Sequence, residues 1–187
     1  MTIRSADLTR ASVLAAACIG LNIGLNKIAV VLSLPIFMDT VGTILAAAFV
    51  PPVFVVSVGV VSNLIGGVVT HPAIPFYTGT QIVVALMAIY AFRRGWLSRL
   101  LPALAVGLAI GIVSAIVSAP ITVVMFGGVT DGATALNAIL MAAGQDIWTA
   151  VISGTIIVSS IDKVIAAALV YLLLRRLPDR LKLAGER

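Results

Sequence analysis

Charge is scarce in this chain: only 10% of its 187 residues are Asp, Glu, Lys or Arg, while 61% are apolar. Soluble domains carry about 25% charged residues, so a water-soluble core is excluded. Cysteine and histidine are scarcer still, with one of each, Cys18 and His71. An internal disulfide is therefore impossible, and so are zinc sites built on His-Glu-x-x-His or on paired cysteines. The chain also lacks Gly-x-x-x-x-Gly-Lys-Ser/Thr, so it has no loop of that kind to cradle phosphate. Gly-x-Ser-x-Gly is absent as well, and a Ser-His-Asp triad would have to recruit His71 from a loop. No enzyme activity, cofactor or metal is expected, and any energy must come from another subunit.

What charge there is lies in a pattern. Ten of the twelve basic residues fall in three stretches: Arg4 and Arg10; Arg93, Arg94 and Arg99; and Arg175, Arg176, Arg180, Lys182 and Arg187. Short cytoplasmic loops retain Lys and Arg, so two apolar blocks separating three basic stretches each cross an even number of times. Both termini are expected on the cytoplasmic side of a plasma (inner) membrane, in a multi-pass chain. The net charge of +5 is assigned to topology and anionic lipid, not to nucleic acid, because the basic residues flank apolar segments. Arg4 and Arg10 before an apolar run resemble a signal peptide, but Ala15-Ala16-Ala17 comes too early, and Asn22, Asn26 and Lys27 interrupt the rest of the run. A retained first helix is expected.

At about 20 residues per crossing, the chain is filled by roughly five to seven helices. The predicted architecture is all-α, a single domain over 1–187 with six membrane helices at about 11–31, 36–50, 53–69, 76–92, 100–126 and 146–174. Pro35 and the pair Pro51-Pro52 mark turns, since proline disfavours helix in the residue before it. Pro120 predicts a kink or an early end within the fifth segment. The second segment is short for a span, and a re-entrant piece there, leaving five helices, is the competing reading. The connection 127–145 is expected outside.

A charge deep in a bilayer costs about 2.5–3.5 kcal/mol on insertion scales, so each intramembrane polar residue needs a reason. The predicted orientation collects Asn26, Lys27, Asp39, Thr43, Asn63, Tyr77, Gln81, Gln145, Asp146 and Trp148 in the outer half, as a pocket open to the outside would require. Asp39 and Asp146 stand out, because an outer carboxylate gives no topology signal. Every member has a competing role, amides and hydroxyls as bonds between helices and aromatics as interfacial anchors. Asp162 and Lys163 are expected near or below the middle, about 100° apart on their helix, so that mutual neutralisation does not follow from their adjacency; a structural role is favoured, Asp162 pairing with a basic group or capping a neighbouring helix. His71 reads as a surface histidine. Small residues four apart at Ala11 and Ala15, Gly20 and Gly24, and Gly107 and Gly111 mark close helix approach, internal or with a partner.

Taken together, six helices, both ends inside, Ala11-x-x-x-Ala15 on helix one and no ATP-binding motif resemble the substrate-binding S component of energy-coupling factor (ECF) type vitamin and nutrient transporters. The run Leu34-Pro35-Ile36-Phe37-Met38-Asp39-Thr40-Val41-Gly42-Thr43 is similar to a stretch in that family, as is Asp162-Lys163 followed by Tyr171 and Arg175-Arg176-Leu177-Pro178. The resemblance implies capture of a small water-soluble nutrient at the outer face. It further implies docking through Ala11 and Ala15 on a transmembrane coupling subunit driven by two ATPases. A membrane sensor or scaffold, and a self-contained small carrier, are the competing classes.

Overall fold

A computed structural model describes residues 5–129 and 133–176, with side chains from Asp7 onward. Arg4, Leu177-Pro178, Arg180, Lys182, Arg187 and residues 130–132 of the fifth connection lie outside the described residues. Among those described, all regular structure is helical: α1 Ser5–Val31, α2 Val41–Ala46, α3 Pro52–Val69, α4 Thr78–Arg93, α5 Leu100–Phe126, α6 Thr134–Ala142 and α7 Ile147–Arg176. Five helical stretches are long and apolar enough to cross a membrane, Asp7–Val31, Pro52–Val69, Ile74–Arg93, Leu100–Phe126 and Ile147–Arg176.

Their ends obey local chemistry. Pro52 opens α3, where a missing N–H leaves no helical bond unmade. Gly127 ends α5 in the left-handed conformation at φ 59°, which costs a glycine little. Pro120 does not end α5, which runs six residues beyond it to Phe126.

The second predicted helix is corrected. Residues 36–50 do not form one membrane-length helix: 36–40 are non-helical, α2 has six residues, and turns come after it. A bilayer tolerates such backbone only where protein buries it and supplies its hydrogen bonds. Here side chains from three helices do so. Asp162 Oδ1 accepts from the N–H of Phe37 (3.1 Å) and of Met38 (2.7 Å). Asn26 Nδ2 donates to Phe37 O at 2.8 Å, Gln81 Nε2 to Asp39 O at 3.1 Å, and the N–H of Gly42 donates to Asn22 Oδ1 at 2.7 Å. Met38 itself is left-handed at φ 52°, a strained backbone for a residue with a side chain.

The same contacts fix the helix directions. Asn22 Nδ2 donates to Ser62 Oγ and Lys27 Nζ to Val69 O, so α1 and α3 run parallel. Tyr77, just before α4, meets Thr122 and Phe126 near the end of α5. On α5, a Cβ on Gly107 would lie 2.6 Å from Lys163 O, and one on Gly111 2.5 Å from Ser160 Cα, so α5 and α7 cross antiparallel in close contact. One end of the bundle, the upper end, therefore holds Val31, Val69, Tyr77, Phe126 and Ile147. All the described arginines, Arg10, Arg93, Arg94, Arg99, Arg175 and Arg176, lie toward the other end.

The apolar core occupies the lower half. All six residues of α2 are buried, packed with Ala11, Ala15 and Cys18 of α1, Val55 and Val58 of α3, Val84, Ala85, Ala88, Ala91 and Phe92 of α4, and Ala166 and Val170 of α7. A short helix with no exposed face thus plugs the bundle from below. The connection 127–145, expected as a loop, carries α6, whose Asn137 packs on Gly154 and donates to Gly128 O.

Candidate functional site

Above the α2 plug lies a cavity of about 600 Å³. Val30, Ser33, Leu34, His71, Val129 and Ala133, all at the upper end, form its rim. Phe37, Asn26, Asn63 and Tyr77 wall one side. Two polar stripes continue the wall: Ser114, Ser118 and Thr122 on α5, and Thr155, Ser159 and Lys163 on α7. Each stripe repeats every four residues and so keeps to one helix face. Asp39, Thr40, Gln81 and Lys163 close the floor.

The floor is an ionic network. Lys163 Nζ lies 2.6 Å from Asp162 Oδ2 and 2.9 Å from Asp39 Oδ1. Asp162 is wholly buried, its other oxygen held by the two backbone N–H groups of the irregular segment. Asp39 differs, since its side chain is 29% exposed, on the cavity side. Its Oδ2 accepts from Gln81 Nε2 at 3.1 Å. Beneath, Thr43 Oγ1 donates to Gln81 Oε1 at 3.3 Å and accepts from Asn22 Nδ2 at 2.8 Å, which fixes the amide that orients Asp39.

Several buried hydroxyls on this cavity have no hydrogen-bond partner among the described residues: Thr40, Thr80, Ser114 and Thr155. Higher up, Tyr77 OH and Thr122 Oγ1 are 2.9 Å apart, and the Tyr77 ring stacks on Phe126.

Of the residues expected in an outer pocket, Asn26, Asp39, Asn63, Tyr77 and Gln81 line the cavity, and Thr43 sits one layer below. Four do not reach it. Lys27 is exposed and donates to Val69 O. Gln145 and Trp148 are exposed at the top of α7. Asp146 is the N-cap of α7, its Oδ1 accepting from the N–H of Trp148 at 3.0 Å and of Thr149 at 3.1 Å. Hydrogen bonds from the Thr149 side chain, then from the backbone, hold its carboxyl below the ordinary carboxylate range. Its charge serves a helix end.

The pairing of Asp162 with Lys163 resolves what adjacency in sequence left open. Successive residues diverge on a helix, but the four-carbon lysine stem reaches back far enough for the ammonium to meet the carboxylate. Lys163, His71 and the hydroxyl stripes were not among the expected cavity residues. Hydroxyls four apart in two otherwise apolar helices are the signal that points to them.

Ala11 and Ala15 are 5% and 6% exposed, buried against the chain's own core, so they present no free docking surface. Gly107 and Gly111 are internal packing residues. Gly20 and Gly24 are the exception: a Cβ on either would meet nothing within 4 Å, and with Ser12 and Ala16 they form a stripe on α1. Compared with known proteins, the chain matches no family model, no curated protein and no solved structure.

Proposed function

We propose that this chain is the membrane-embedded binding subunit of an ECF-type importer, capturing a small water-soluble nutrient at the outer face. The carrying observation is the cavity, apolar-walled with a set of polar side chains, at the end of the bundle opposite every described arginine, closed below by the apolar α2 plug. Arginine marks the cytoplasmic side, which orients the cavity outward and both termini inward in a plasma membrane. In this reading residues 32–51 make the sixth crossing, an irregular stretch followed by the six-residue α2 and a turn. A volume of about 600 Å³ falls within the roughly 300–1,000 Å³ typical of small-molecule sites.

Energy comes from partners, a transmembrane coupling subunit and two ATPases, because this chain carries no ATP-binding motif of the phosphate-loop kind. With Ala11 and Ala15 buried, the surface of α1 left for docking is the stripe Ser12, Ala16, Gly20 and Gly24, where missing side chains let a second helix approach closely.

A scaffold reading draws on the self-satisfied amides Asn22, Asn26, Asn63 and Gln81, each bonded within the chain. It gives no reason for an open cavity lined by unpartnered hydroxyls. Thermal unfolding of the purified chain with a panel of vitamins, nucleobases and cofactor precursors separates the two. A ligand at 100 times its Kd adds about 2.7 kcal/mol to the folded state, so one compound should raise the midpoint clearly. Folded protein that responds to none of them would favour the scaffold.

A further inference from the structure

We infer that the ligand of this cavity carries one positive charge, which it places against Asp39. The inference rests on the binding-subunit reading and adds the chemical class of the ligand.

The argument begins with a charge count at the floor. Asp39, Asp162 and Lys163 contribute two negative charges and one positive, in a network walled by α4, α5 and α7. The lysine is held closest by Asp162, at 2.6 Å, and Asp162 has no solvent access. The network that shares this one lysine is thus a positive charge short, and Asp39 is the one carboxylate among the described residues through which it meets the cavity. A charge in low dielectric without a counter-charge is costly. Among the described residues, no Lys or Arg other than Lys163 lines the cavity to balance it. His71 stands at the rim, its Nδ1 accepting from the N–H of Ala73 at 3.2 Å. Lys27, the other upper-half cation, is directed to Val69 O and does not line the cavity.

A second feature is independent of charge. Thr40, Ser114 and Thr155 are 1%, 2% and 3% exposed, border the cavity, and have no hydrogen-bond partner among the described residues. Buried hydroxyls are normally bonded, so these three are placed for groups that a ligand brings. The Phe37 ring already faces the Lys163 ammonium at 5.5 Å, while Tyr77 adds an aromatic ring to the cavity wall that also favours a cation. The fitting ligand is a compact organic monocation, an ammonium, amidinium or heteroaromatic cation, with further polar groups that reach the α5 and α7 hydroxyls.

Three probes on one planar frame test the charge: tryptamine (cation), tryptophol (neutral) and indole-3-acetate (anion), titrated against the purified full chain. Tryptamine should bind at least tenfold more tightly than tryptophol, with indole-3-acetate weakest, and D39N should bring tryptamine within twofold of tryptophol. Tighter or equal binding of the neutral or anionic probe, or binding of none of the three, overturns the inference. Should D39N fail to fold, S114A and T155V take its place. Each removes an unpartnered group, so the empty protein should melt no lower, while tryptamine binding should weaken at least threefold. Full affinity in both would contradict the assignment. A neutral or anionic hit in the nutrient panel would sink this inference and leave the binding-subunit reading standing, whereas an empty panel would sink that reading too.

Discussion

A carboxylate with no access to water needs its oxygens engaged by donors, and Asp162 meets that demand by facing the break between α1 and α2. One oxygen takes two backbone N–H groups and the other takes the Lys163 ammonium. D162A would leave two backbone donors unbonded and reduce Lys163 to a single carboxylate partner. Breaking a buried pair from one side costs about 3–5 kcal/mol, so this variant should lose most of its folded fraction in thermal unfolding. Asp146 is the contrast. It is an exposed cap, and D146N should leave the tryptamine affinity at the wild-type value. Its carboxyl titrates below the usual range, so its contribution to stability is present at neutral pH and lost as pH falls through that depressed value. Asp39 was legible in the sequence because a retained outer carboxylate demands a reason. Lys163 was not, because neighbours on a helix diverge and its pairing depends on how far a flexible stem reaches.

At the scale of elements, the spans that were legible are those with a single demand, to be long and apolar: the expected 100–126 coincides with α5, and 146–174 differs from α7 by one or two residues. Residues 36–50 were apolar enough to read as helix, yet Pro35 and the capture of the Phe37, Met38 and Gly42 N–H groups by side chains hold the first part open. Propensity was overruled by hydrogen-bond partners far away in sequence. The small-residue pairs divide the same way, since spacing alone does not say which face meets what. G111V would push a branched side chain into the Ser160 backbone, and overpacking of this kind costs about 1–3 kcal/mol, so its melting midpoint should fall. G20L meets open space, so it should fold and bind as wild type yet lose uptake in cells that supply the coupling subunit and ATPases. Normal uptake by G20L would remove α1 from the docking surface.

Across the whole molecule, the two halves do different work. Below mid-depth, α2 and its neighbours are packed apolar residues; above it, polar side chains from six helices and the irregular segment surround a space. That division was partly legible as polar residues thinning toward the basic end, but the sequence could not show that Gln145, Asp146 and Trp148 belong to a helix cap and the outer surface of the bundle. The central claim is that this cavity opens to the outside, and cysteine labelling tests it most directly. In a C18A background, H71C at the rim and S98C at the arginine-rich end are each treated with a membrane-impermeant maleimide in right-side-out vesicles. H71C should label at once and S98C only after the membrane is opened; the reverse pattern would place the cavity on the cytoplasmic side and contradict the account.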